Sequence, residues 1–166
     1  MKKTHQQSTG LRWLWVTVIV LILDRITKTF AVYYLPPYAE VPVMKYFNLT
    51  LAYNNGAAFS FLDSASGWQG WLFGSIAVLV SIGLLIWLSR LSARQRGLCL
   101  ALTLIIGGAL GNLFDRLLYG HVIDFLDFYI NHWHWPAFNL AYSAVCAGAA
   151  ILCVDAMSIK LQRGNR

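Results

Sequence analysis

The chain has 166 residues, of which 58% are hydrophobic and only 12% charged, and its mean hydropathy is positive. This composition excludes an ordinary soluble domain and predicts a single polytopic membrane domain over residues 1–166. The net charge of +6 is no nucleic-acid footprint, because nine of the thirteen basic residues (Lys2, Lys3, Arg12, Arg90, Arg94, Arg96, Lys160, Arg163 and Arg166) fall on one side of four apolar stretches.

Those stretches cover about 12–33, 69–89, 97–116 and 136–157, each near the ~20 residues that cross a bilayer core. The first reads as a retained anchor, since Asp24-Arg25 and Lys28 follow its apolar run where a cleavable signal would show a small-x-small site. Asp24 and Lys28 stand at i, i+4 and are expected to form a structural ion pair. In the first long connection, 34–68, Phe47, Leu49, Leu51 and Tyr53 alternate with Asn48, Thr50 and Ala52, the period of a half-buried strand. NNGAAFSF follows at 54–61, with Gly56 able to turn the chain, and an extended edge there could cradle a peptide.

On the third stretch Gly107 and Gly111 form a G-x-x-x-G pair that permits close helix packing, with Asn112, Asp115 and Arg116 beyond it. The second connection, 117–135, carries Asp124, Asp127, His132 and His134. On the fourth stretch Asn139, Tyr142, Ser143 and Cys146 share one helical face, expected to point into the bundle. Cys99, Cys146 and Cys153 lie inside apolar segments without C-x-x-C spacing and read as packing residues.

The positive-inside rule places both termini in the cytoplasm and gathers Asp24, Asn54, Asn112, Asp115, Arg116, Asp124 and Asn139 at the outer face. Trp68, Trp71, Trp133 and Trp135 mark the outer ends of the spans, where indoles favour the interface. Carboxylates at membrane depth mark function, which singles out Asp115, Arg116 and Asp124. Ser75 and Ser143 have no lysine or histidine within a helical turn to activate them. Zinc chemistry lacks an H-E-x-x-H motif, although His132 and His134 with Asp124 or Asp127 could in principle ligate a metal. Aspartic chemistry is the remaining scheme.

DRITK at 24–28, NNGAAFSFL at 54–62, GGALGNLFDR at 107–116, HVIDFLDF at 121–128 and WPAFNLAYSA at 135–144 resemble, in order and spacing, the bacterial lipoprotein signal peptidase (signal peptidase II) family. The resemblance implies an all-α inner-membrane protein, a bundle of four transmembrane helices with a small extracytoplasmic β-cradle. It implies an aspartic endopeptidase, blocked by globomycin and needing neither cofactor nor metal, that cuts diacylglyceryl-modified prolipoproteins just before the lipidated cysteine. Its partners would be lipidated signal peptides and the bilayer. By the same resemblance Asp124 is one half of the catalytic dyad. Asn54, Asn112, Arg116 and Asn139 line the groove and hold substrate carbonyls or the aspartates; Asp115 organises Arg116 and the loop, and Asp24 is structural.

One position departs from the pattern. The family reads F-N-x-A-D-S in the last helix, and this chain reads Phe138-Asn139-Leu140-Ala141-Tyr142-Ser143, with tyrosine where the second dyad aspartate belongs. A phenol with a reference pKa near ~10 donates a hydrogen bond but is no base at neutral pH. Asp127 and Asp115 are the nearest substitute partners, whereas Asp155 lies thirteen helical residues beyond Tyr142, roughly 20 Å away. Two readings follow: a lipoprotein signal peptidase, or an impaired or inactive relative that binds lipidated signal helices.

Overall fold

The protein is represented by a computed structural model that describes residues 8–56 and 68–164, with side chains as far as Ser158. Lys2, Lys3, the part of NNGAAFSFL beyond Gly56 and the side chains of Lys160, Arg163 and Arg166 lie outside the described residues.

A short 3-10 turn, Gly10–Trp13, leads into α1, Leu14–Tyr34. This helix stops before Pro36-Pro37, which cannot continue it. Strands β1, Val41–Met44, and β2, Phe47–Asn54, follow; then come α2, Trp68–Arg90, and α3, Arg96–Tyr119. Gly120, at φ 78°, ends α3 in the left-handed conformation that glycine adopts without strain. β3, Val122–Ile130, β4, Trp133–His134, and α4, Leu140–Gly164, complete the chain.

The chain is thus mostly helical with a small antiparallel sheet, ordered β1-β2-β3-β4. Among the described residues three helices are long and apolar enough to cross a membrane, Trp68–Arg90, Arg96–Tyr119 and, within α4, Leu140–Ser158. The 21-residue α1 differs because it carries Asp24, Arg25 and Lys28. Two of those charges turn inward: Asp24 and Lys28 are buried while Trp15, Ile19, Ile22 and Phe30 on the same helix are exposed. Apolar surface out and charge in is the arrangement of a protein whose solvent is lipid.

α3 is the central helix, packed on α1, α2 and α4. Small residues set these approaches. A Cβ on Gly107 would lie 2.8 Å from Val20 Cβ, and one on Gly108 only 2.1 Å from the Ala141 carbonyl oxygen. The G-x-x-x-G pair therefore seats α1, while the neighbouring Gly108 seats α4. The expected polar stripe on α4 does not all face inward. Ala141, Ala144 and Gly148 make the contact face, Asn139 is fully buried, Tyr142 and Ser143 are half-buried, and Cys146 is exposed. Helices joined this closely need small side chains along the seam, which excludes a Tyr-to-Cys stripe from it. Cys153 is likewise exposed, so only Cys99 packs in the core, beside Leu88, Leu102 and Ile106.

β2 and β3 pair antiparallel as Asn48↔Asp127 and Leu49↔Leu126, then, after a one-residue shift, as Ala52↔Asp124 and Asn54↔Val122. That shift is a bulge on β2. Leu51, Ile123 and Phe125 pack against Ala31, fixing the sheet to the end of α1. Pro42 sits on the edge strand β1, where its missing N–H is tolerated. α4 begins at Leu140, four residues after the expected start of the span, because Phe138 pairs with Leu126 and Asn139 acts as the cap.

Candidate functional site

Asp124 projects from β3 between two asparagines brought from distant parts of the chain. Asn54 Nδ2, at the end of β2, donates to Asp124 Oδ2 at 2.9 Å. Asn139 Nδ2, at the start of α4, donates to Asp124 Oδ1 at 2.7 Å, and it also reaches Asn112 Oδ1 and the Ile123 carbonyl, each at 3.1 Å. The carboxylate is only 4% exposed. Burial raises its pKa to about 6, against the opposing hydrogen bonds from Asn54 and Asn139 and the charges of Lys28 and Arg116.

Asn139 serves two purposes at once. Its Oδ1 accepts the N–H of Tyr142 at 2.8 Å, an N-cap on α4, while its amide nitrogen holds the carboxylate. The next free amide of that first turn, Ala141 N–H, donates to Asp24 Oδ1 at 3.0 Å. The helix start is therefore pinned to both α1 and the sheet.

Asp124, Asn54, Asn112, Arg116, Asn139 and Tyr142 line one pocket of about 30 Å³. Such a volume holds one or two water molecules. The pocket brings together the sequence-derived groove residues, with the Tyr142 ring half-buried against Phe138. Arg116 closes one side: its Nη2 donates to the Gly56 carbonyl at 2.9 Å, and its Nε is buried with no partner among the described residues.

Behind this pocket lies a charge cluster that sequence reasoning saw only in part. Lys28 Nζ, fully buried, donates to Asp24 Oδ2 at 2.8 Å, Asp115 Oδ2 at 2.7 Å and Asn112 Oδ1 at 2.9 Å. All three ammonium donors are thereby used. The i, i+4 pair exists, but it belongs to a larger network, and Arg25, which the sequence reading passed over, also pairs with Asp115. Asp115 Oδ2 accepts the Ile123 N–H at 3.3 Å, so it secures the start of β3; its ion pairs run to α1, not to Arg116. The acid-base-acid alternation DRITK…D was the signal that could have revealed Arg25.

Neither substitute partner for Asp124 is free. Asp127, three residues along β3 and so on the opposite face, accepts from Asn48 Nδ2 at 3.2 Å and faces His134 Nδ1 at 3.0 Å. Asp115 is held as described. His134 is turned to Asp127, and among the described residues no group of three or more His, Cys, Asp or Glu side chains is placed to hold a metal.

Comparison with known proteins identifies the family and the fold. Residues 16–158 match the profile of the family described as Signal peptidase (SPase) II. A lipoprotein signal peptidase of Photorhabdus laumondii is 53% identical over 148 residues, 89% of both chains. One from Yersinia pestis is 55% identical over 148 residues, covering 89% of this chain and 88% of the relative. Among solved structures, a bacterial membrane enzyme determined in meso at 2.3 Å resolution superposes with a TM-score of 0.79 at 29% identity, covering 89% of this chain and 88% of its own. A second, at 1.9 Å resolution, gives a TM-score of 0.77 at 28% identity, covering 91% and 97%.

Proposed function

The chain belongs to the signal peptidase II family, and from that premise we propose that it acts on diacylglyceryl-modified prolipoproteins, hydrolysing the peptide bond before the lipidated cysteine by aspartic chemistry at Asp124. The observation that carries this reading is the Asp124 carboxylate, buried between Asn54 and Asn139 beside a pocket with room for a water.

In this mechanism Asp124 takes a proton from a water as its oxygen attacks the scissile carbonyl, and the carboxyl so formed returns that proton to the amine as the C–N bond breaks. Near neutral pH a carboxyl titrating at about 6 is mostly ionised yet basic enough to accept the proton. Asn54 and Asn139 fix its orientation, and the Arg116 guanidinium, which lines the same pocket, sets a positive charge beside it. Asn112 transmits the position of Lys28 to Asn139. Asp24, Lys28 and Asp115 act as the frame that holds these elements in register.

Tyr142 favours the second reading, because it lines the pocket where a second carboxylate would stand. With only a phenol there, the site retains its means of binding a lipidated signal helix and lacks half of its acid–base pair. Cleavage by this chain is accordingly expected to be slow, and to quicken once position 142 carries a carboxylate. We also propose α1 as a fourth span, its three charges neutralised within the bundle. By the positive-inside rule the basic residues flanking the spans support both termini in the cytoplasm and the Asp124 pocket at the outer face of the inner membrane.

The test is cleavage of a lipidated prolipoprotein peptide by the chain in detergent or nanodiscs, with binding measured in parallel. Slow cleavage abolished by Asp124→Asn, with binding retained, is the expected result. Binding that is absent, or that is indifferent to both Asn112→Ala and Arg116→Ala, overturns the reading.

A further inference from the structure

On the side of the bundle away from Asp124, α1 and α3 enclose an apolar groove of about 590 Å³. Leu21, Ile22 and Ile26 form one wall, and Leu110, Phe114 and Leu117 the other. From Leu110 to Leu117 the groove follows α3 for about 10 Å. A second cavity, of about 480 Å³, lies immediately above it, toward the sheet. Arg25 lines both.

The two cavities differ in chemistry. The lower groove is aliphatic and aromatic apart from Arg25 and Asp24, and the Asp24 carboxylate is committed to Lys28 and the Ala141 N–H. The upper one is lined by Arg25, Thr29, His121 and the phenols Tyr33, Tyr53 and Tyr119, and no carboxylate lines it. Lys28 also borders it, but its ammonium is committed to Asp24, Asp115 and Asn112. Arg25 remains 31% exposed; it pairs with Asp115, donates to the Tyr119 hydroxyl at 3.3 Å and lies 4.8 Å over the Phe114 ring. A guanidinium has five N–H donors, and these two bonds use two of them. An apolar slot below and a cluster of donors without acids above match, in order and in orientation, a lipid tail and a phosphate in the leaflet on the sheet side of the bundle.

We propose that this groove and cavity form one binding site for a glycerophospholipid, its acyl chain against Ile22 and Phe114 and its phosphate against Arg25. The site is separate from the Asp124 pocket, with which it shares no lining residue. The proposal therefore does not rest on whether the chain cleaves peptides.

Native mass spectrometry of the delipidated full-length chain in detergent tests the site, with dioleoylphosphatidylglycerol as the probe. One lipid per chain is expected to bind. Dioleoylglycerol, with the same tails and no phosphate, should bind weaker by roughly tenfold or more, the loss expected for one hydrogen bond to a charged group, and glycerol 3-phosphate, with the phosphate and no tails, should bind weaker by at least as much through lost apolar burial. Ile22→Trp, which fills the groove from an exposed position, and Arg25→Gln should weaken the phospholipid comparably. If Arg25→Gln fails to fold for want of its Asp115 pair, His121→Gln and Ile22→Trp decide. Phospholipid affinity unchanged by Ile22→Trp, or matched by either dioleoylglycerol or glycerol 3-phosphate, overturns the proposal.

Discussion

Tyr142→Asp is expected to raise peptide cleavage by ~10²- to 10⁴-fold, the contribution of one positioned acid–base group, equivalent to about 3 to 5 kcal/mol of barrier. The substitution is compatible with the fold because the Tyr142 contact that caps α4 is made by its backbone N–H, 2.8 Å from Asn139 Oδ1. An acidic side chain in the first turn also faces the positive end of the helix dipole, worth about 0.3 to 1 kcal/mol. The change removes a ring from a pocket of about 30 Å³ and puts a carboxylate where a proton can be shared with Asp124. The assay is single-turnover cleavage of a lipidated prolipoprotein peptide across pH 4 to 9. The variant should show a bell-shaped profile belonging to the pair of carboxyls, and Asp124→Asn in that background should return the rate to baseline. A native rate close to that of the variant refutes the reasoning. Asp115 or Asp127 would then have to leave its present partners to serve as the second acid.

Burial raises the Asp124 pKa to about 6 from an ordinary 3.8, so the folded state holds this proton more tightly than the unfolded chain. Stability should fall as pH rises from about 4 to about 6 and level off above, by up to about 3 kcal/mol relative to Asp124→Asn, which has no such slope; thermal melts of the two proteins over this range check it. Gly108→Ala should destabilise the bundle by ~1 to 3 kcal/mol through overpacking, since its Cβ would lie 2.1 Å from a backbone oxygen of α4, whereas Gly83→Ala, in the middle of α2 with nothing near its Cβ, should not lower the melt and should raise stability by up to ~1 kcal/mol. Asn139→Ala should lower stability by ~1 to 2 kcal/mol through loss of the cap and also shift the Asp124 titration upward, because a hydrogen bond to the ionised form is lost; infrared titration of the carboxyl band reads the second effect.

Helices were legible from composition because an apolar run of spanning length has few alternatives in lipid. The strand at Phe47–Asn54 was legible from its alternation, yet the bulge within it was not, since one extra residue leaves no mark on a two-residue period. β3 was harder: four consecutive buried residues, Val122 to Phe125, give no alternation, because both faces of the strand are covered. The cluster of Asn54, Asn112, Arg116, Asp124 and Asn139 could be assembled from motif order, as could the absence of a carboxylate at Tyr142. The attachment of Asp115 to Arg25 and Lys28 could not, because it depends on which faces of α1 and α3 meet. The α4 seam went unread for a related reason: alanine and glycine carry no chemical signal, although they decide which helix faces touch.

The bulge in β2 also settles how one pair of strands attends to two acids. Asp124 and Asp127 occupy opposite faces of β3, yet their asparagine partners, Asn54 and Asn48, have the same parity along β2. In an unbroken ladder both asparagines would face the same way, and one aspartate would lose its donor. The extra residue between Leu49 and Ala52 reverses the facing of everything downstream, so each acid meets its own amide. Loss of a single residue near Thr50 would thus act as a frameshift in space, delivering Asn54 to the wrong side of the sheet while leaving every chemically active residue in the chain.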